Sequence, residues 1–66
     1  MDKKLIGRRL RKLRGTRTLE EVAKAIGVTK QAVNLYETGW RVPKDELKVK
    51  LAKFYGMSVD DIFFAS

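Results

Sequence analysis

The sequence predicts a compact all-α bundle of five short helices. Apolar residues recur at helical spacing, as in Ile6, Leu10 and Leu13 at i, i+4 and i+7. Gly15, Gly27, Gly39 and Gly56, together with Pro43, cut the chain into segments of helix length. No stretch shows the period-two alternation of a half-buried strand.

Each element follows from local chemistry. The first helix is expected over about 3–14, with Asp2 well placed at its start and Gly15-Thr16 as its end. The second is expected over 19–26, capped by Thr18, with Glu21 three residues on completing a capping box. The third runs from 30 to 38, capped by Thr29 and stopped by Gly39. Trp40-Arg41-Val42-Pro43 is a loop, because Pro43 holds Val42 extended. The fourth helix starts at Lys44 or Asp45 and reaches Tyr55, with Leu47, Leu51, Ala52 and Tyr55 as its buried stripe and Gly56 as its cap. Ser58 caps a last short helix over 59–63, with Asp60 and Asp61 in its first turn.

Residues 18–39 carry the most information. Counting outward from Gly27, Ala23 lies four residues before it, Ile26 and Val28 flank it, and Val22, Val33 and Tyr36 supply inward-facing apolar groups. A small residue at Ala23 lets two helices cross closely, and Gly27 can take the positive φ of a sharp exit from a helix. This joint spacing is the skeleton of a helix-turn-helix, whose second helix enters the major groove of DNA.

Composition narrows the function classes. The 66 residues are expected to form one domain over 1–66, small enough that only about 60% of the unfolded surface is buried on folding. With no cysteine and no histidine, disulfides are excluded and the usual zinc ligands are missing. No metal, no cofactor and no enzymatic activity are expected. No apolar run is long enough to span a membrane and no cleavable signal is visible, so a cytoplasmic location is expected. Net charge is +7, and eight of the fifteen Lys and Arg lie between Lys3 and Arg17. A polyanionic partner follows naturally, with nucleic acid the commonest, although a basic solvated helix face would give the same charge.

The whole chain resembles the Cro/CI-type, or XRE, family of helix-turn-helix regulators. The matching segments are LRKLRG, TLEEVAKAIGVTKQAV, YETG and LAKFYGMSVDDIF. The resemblance implies a fold of the lambda-repressor-like DNA-binding type. It also implies a bacterial or phage transcriptional regulator, most naturally a repressor, that binds a pseudo-palindromic operator as a homodimer. The chain departs from the pattern in places. The family often has Gln at the start of the second helix, where its side chain touches a phosphate; here the residue is Leu19. The backbone amides at that helix start can still hold a phosphate. The turn at Gly15-Thr16-Arg17 is shorter than in many relatives, and Asp45 and Lys48 occupy places that are apolar in many members.

With Val33 and Tyr36 turned inward, Gln31, Asn34, Leu35 and Thr38 face outward and Lys30 sits on the exposed first turn. The resemblance places base contacts on Lys30, Gln31 and Leu35, with Asn34 beside them. Gln and Asn can pair with adenine, Lys with guanine, and Leu35 only with a thymine methyl. Phosphate contacts are expected from Arg17, Thr18, Thr38, Trp40, Arg41 and Lys44; for Trp40 a core or dimer anchor is an equal alternative. Glu37 lies near a helix C-terminus, where a negative charge is unfavourable without a partner. The resemblance supplies that partner as Arg14. Phe63 and Phe64 are adjacent and cannot both face one core. They are expected to mark a two-fold dimer interface, with Phe63 also continuing the Val59-Ile62 stripe.

Two other function classes remain. Antitoxins use this fold and also bind a toxin protein. A membrane-surface peptide is suggested by Leu5, Ile6, Leu10 and Leu13 among basic residues. That stripe, however, lacks an interfacial Trp or Phe, and the other helices need it.

Overall fold

A computed structural model describes residues 2–65. Among them the chain forms α1 (Lys3–Arg14), α2 (Leu19–Ile26), α3 (Lys30–Glu37) and α4 (Asp45–Tyr55), then a final turn, α5 (Asp60–Phe64). No strand occurs among the described residues. The helix starts are chemical. Asp2 Oδ1 accepts from the N–H groups of Lys4 and Leu5 at 3.0 and 3.1 Å. Thr18 Oγ1 accepts from the Glu21 N–H at 3.0 Å, and Thr29 Oγ1 from the Ala32 N–H at 3.2 Å. Only the Thr18 arm of the expected capping box is formed; the Glu21 carboxylate does not return to the Thr18 N–H.

The turn between α2 and α3 depends on Gly27 at φ 75°. That left-handed residue lets the Val28 N–H close back on the Ala23 carbonyl at 3.0 Å, a Schellman closure that turns the chain sharply into α3. The same bond ends α4, from the Met57 N–H to the Ala52 carbonyl at 3.0 Å.

One core joins all five elements: Ile6 and Leu10 of α1, Val22, Ala23 and Ile26 of α2, Val33 and Tyr36 of α3, Leu51 and Ala52 of α4, and Ile62 and Phe63 of α5. Gly7 is also buried, where α1 crosses α3. A Cβ there would lie 2.8 Å from the Tyr36 carbonyl oxygen and would meet the Glu37 carbonyl more closely still. Backbone therefore touches backbone at this crossing.

The C-terminal end departs from expectation in three ways. The last turn is π-helical rather than an ordinary short helix, closed by the Ala65 N–H on the Asp60 carbonyl at 2.8 Å. Consecutive residues Ile62 and Phe63 both turn inward from it. Phe63 is core, 2% exposed, continuing the Val59-Ile62 stripe, and offers little surface for the dimer interface expected of it; Phe64 remains 58% exposed. In α4, Leu51 and Ala52 are buried but Leu47 and Tyr55 only half so, and Lys48 takes an inner position at 8% exposure. Its ammonium bonds Asp45 Oδ1 at 3.3 Å and lies 5.8 and 5.2 Å from the ring centres of Phe63 and Phe64. The four-carbon stem fills the core position while the charge finds a carboxylate and two ring faces.

Candidate nucleic-acid interface

The helix-turn-helix presents the outer face of α3. Val33 and Tyr36 are buried, so the opposite face is set: Lys30, Gln31 and Asn34 are exposed and Leu35 is half-buried. The structure brings these four together along one open groove of about 410 Å³. Its fifth wall is Leu19, the first residue of α2. Sequence reasoning placed Leu19 only as a missing phosphate contact. The signal was an apolar residue at a helix start that local capping does not require.

The rim residues divide into two groups. Trp40 is 78% exposed, so it is not a core residue. Arg41 and Lys44 are exposed, with no side-chain hydrogen bond or ion pair among the described residues. Three others are engaged within the protein. The Thr18 hydroxyl caps α2. The Thr38 hydroxyl donates to the Asn34 carbonyl at 2.8 Å. The Arg17 guanidinium donates to the Leu13 carbonyl at 3.2 Å and packs over Phe54 and Tyr55, 5.2 and 5.8 Å from their ring centres. Arg17 thus adds charge to this side of the molecule with one guanidinium nitrogen bonded within the fold.

Arg14 and Glu37 lie behind the interface. Arg14 Nε donates to Glu37 Oε2 at 2.8 Å, with side chains 14% and 5% exposed. A second guanidinium donor reaches the Arg17 carbonyl at 2.7 Å. The bond to Glu37 raises the Arg14 pKa above its ordinary value. Tyr55 nearby is pushed up to about 12, first by burial and then by the Glu37 charge. The carboxylate near the α3 C-terminus is thereby neutralised, and α3 is tied to α1. Sequence reasoning missed a further tie: Arg9 donates to the Ile62 carbonyl at 3.0 Å and clamps the last turn against α1.

Comparisons with known proteins agree with this geometry. Residues 5–62 match the family described as Helix-turn-helix domain. An uncharacterized HTH-type transcriptional regulator of Methanocaldococcus jannaschii is 41% identical over 46 residues, 70% of each chain. The cryptic phage CTXphi transcriptional repressor RstR of Vibrio cholerae is 46% identical over 56 residues, 82% of this chain but 50% of that protein. Among solved structures, the P22 c2 repressor in complex with a synthetic operator superposes with a TM-score of 0.89 at 25% identity, covering 94% of this chain and 97% of that one. The clp gene regulator ClgR of C. glutamicum superposes with a TM-score of 0.79 at 28% identity, covering 94% and 83%. The chain belongs to the Cro/CI-type, or XRE, family of helix-turn-helix transcriptional regulators.

Proposed function

We propose that this chain is a sequence-specific DNA-binding repressor that places α3 in the major groove of a pseudo-palindromic operator as a homodimer. The observation that carries the reading is the two-sided character of α3. Val33 and Tyr36 lock one face into the core, and Lys30, Gln31, Asn34 and Leu35 share the other. The likeness to a repressor solved on its operator supports it. Gln31 and Asn34 offer paired donor and acceptor groups to adenine, Lys30 bonds guanine, and Leu35 contacts a thymine methyl. Arg41, Lys44, Trp40 and the backbone amides at the start of α2 hold phosphates on either side. The second copy packs at Phe64, which borders an open groove with Leu5 and Ile6 of α1. Operator binding then requires the two recognition helices to meet successive major grooves about 34 Å apart.

The test is affinity for an operator selected from random DNA, against a scrambled duplex. Gln31→Ala is expected to cost about 1–3 kcal/mol on the operator and much less on the scrambled duplex. Arg41→Ala weakens both alike and makes the salt dependence shallower by about one unit. For about 6 neutralised phosphates, the parent slope of log K against log salt is near −5. Equal loss on both duplexes for Gln31→Ala would remove that residue from base reading. Phe64→Glu is expected to weaken dimerisation in sedimentation while the monomer stays folded.

A further inference from the structure

The recognition groove has a wall that the readers on α3 do not supply. Leu19 opens α2, is half-buried against the core, and turns its remaining surface into the groove shared by Lys30, Gln31, Asn34 and Leu35. Leu19 and Leu35 therefore form two apolar sides of one cleft on an otherwise polar, basic face. A phosphate gains nothing from such walls, since neither side chain can donate a hydrogen bond. Among groups on the major-groove edges of unmodified DNA, one is apolar: the C5-methyl of thymine.

We propose that Leu19 and Leu35 together form a methyl-reading cleft that accepts the C5-methyl of one thymine in each half-site, making Leu19 a specificity residue contributed by α2. The inference rests on the placement of α3 in the major groove proposed above. The surroundings favour this occupant over a free apolar ligand or a protein segment. Lys30 and Gln31 border the cleft, so a group entering it must arrive with hydrogen-bond acceptors and negative charge close by, as a base pair within a duplex does. Gln31 is also placed to bond an adenine near the same cleft, so an A·T-rich step would satisfy both the amide and the leucines. Removing a methyl from water into an apolar cleft changes affinity by about fourfold.

The experiment scans the selected operator with single replacements of thymidine by deoxyuridine, which removes the methyl and nothing else. The parent protein is expected to lose about fourfold at one position of each half-site. Placing 5-methylcytosine there retains more affinity than unmodified cytosine. The uracil penalty is expected to vanish in Leu19→Ala and in Leu35→Ala; Leu19→Gln serves as a second substitution at the α2 position if Leu19→Ala unfolds. If no position distinguishes thymine from uracil while Gln31→Ala still separates operator from scrambled DNA, the cleft is overturned and the α3 reading stands. A uracil penalty undiminished in folded Leu19 variants overturns the role of Leu19. Failure of the parent to prefer any sequence overturns both readings.

Discussion

The crossing of α1 over α3 and the α4–α5 end are packed against the same core in opposite ways. At the crossing, Gly7 lets backbone rest on the Tyr36 and Glu37 carbonyls, and the Arg14–Glu37 pair closes the contact beside it. Little there can move without a clash or an unpaired charge. At the other end, contacts run through long side chains. The Lys48 stem fills a core position, its ammonium shares a carboxylate with solvent, and Phe64 stays largely in water. The difference teaches where rigidity is needed. α3 is seated on α1 by its inner face and end, leaving its outer face unconstrained by packing, whereas the outer contacts of the C-terminal end run through side chains that reach solvent.

The largest expected effect breaks the crossing. Gly7→Ala forces a methyl against two carbonyl oxygens and is expected to cost about 3 kcal/mol in chemical denaturation. A cost below about 1 kcal/mol would mean the two helices separate easily. Next comes the ion pair. Arg14→Met and Glu37→Gln are each expected to cost about 2 kcal/mol by leaving the other partner unsatisfied. The double variant costs clearly less than their sum; additivity would show that the pair does not couple.

Alkaline pH tests the same side of the molecule. Tyr55 holds its proton to about 12 in the fold, against an ordinary value of 10.0. Below pH 10 it is neutral in both states and its contribution is fully present. As pH rises from 10 towards 12, the unfolded chain ionises first, so folding stability falls. Tyr55→Phe is expected to flatten that part of the pH profile. The smallest effect belongs to the C-terminal end. Lys48→Met leaves Asp45, already exposed, in water, and is expected to stay within about 0.5 kcal/mol of the parent or to exceed it. A loss as large as that of Arg14→Met would erase the contrast between the two regions.

Much of the fold was legible in the sequence because helix boundaries are set by neighbours a few residues apart. Asp2, Thr18 and Thr29 bond amides within their own first turns, and Gly27 ends α2 by its own backbone angle. Gly7 was not among the residues singled out, although a helix-weakening residue inside a helical pattern is a signal of close packing. Lys48 was harder to read, since a charge at an inner position resembles a surface residue until its partners are placed.

The order of the helices, the turn at Gly27 and the inward face of α3 follow from local sequence, because capping, periodicity and glycine conformation act over short stretches of chain. Tertiary structure decided the rest. It drew Arg17 onto Phe54 and Tyr55, joined Arg9 to the Ile62 carbonyl, and brought Leu19 to the edge of α3. These outcomes depend on how whole helices cross. No local pattern encodes them, because the partners are distant in sequence and the contacts exist only once the core has closed.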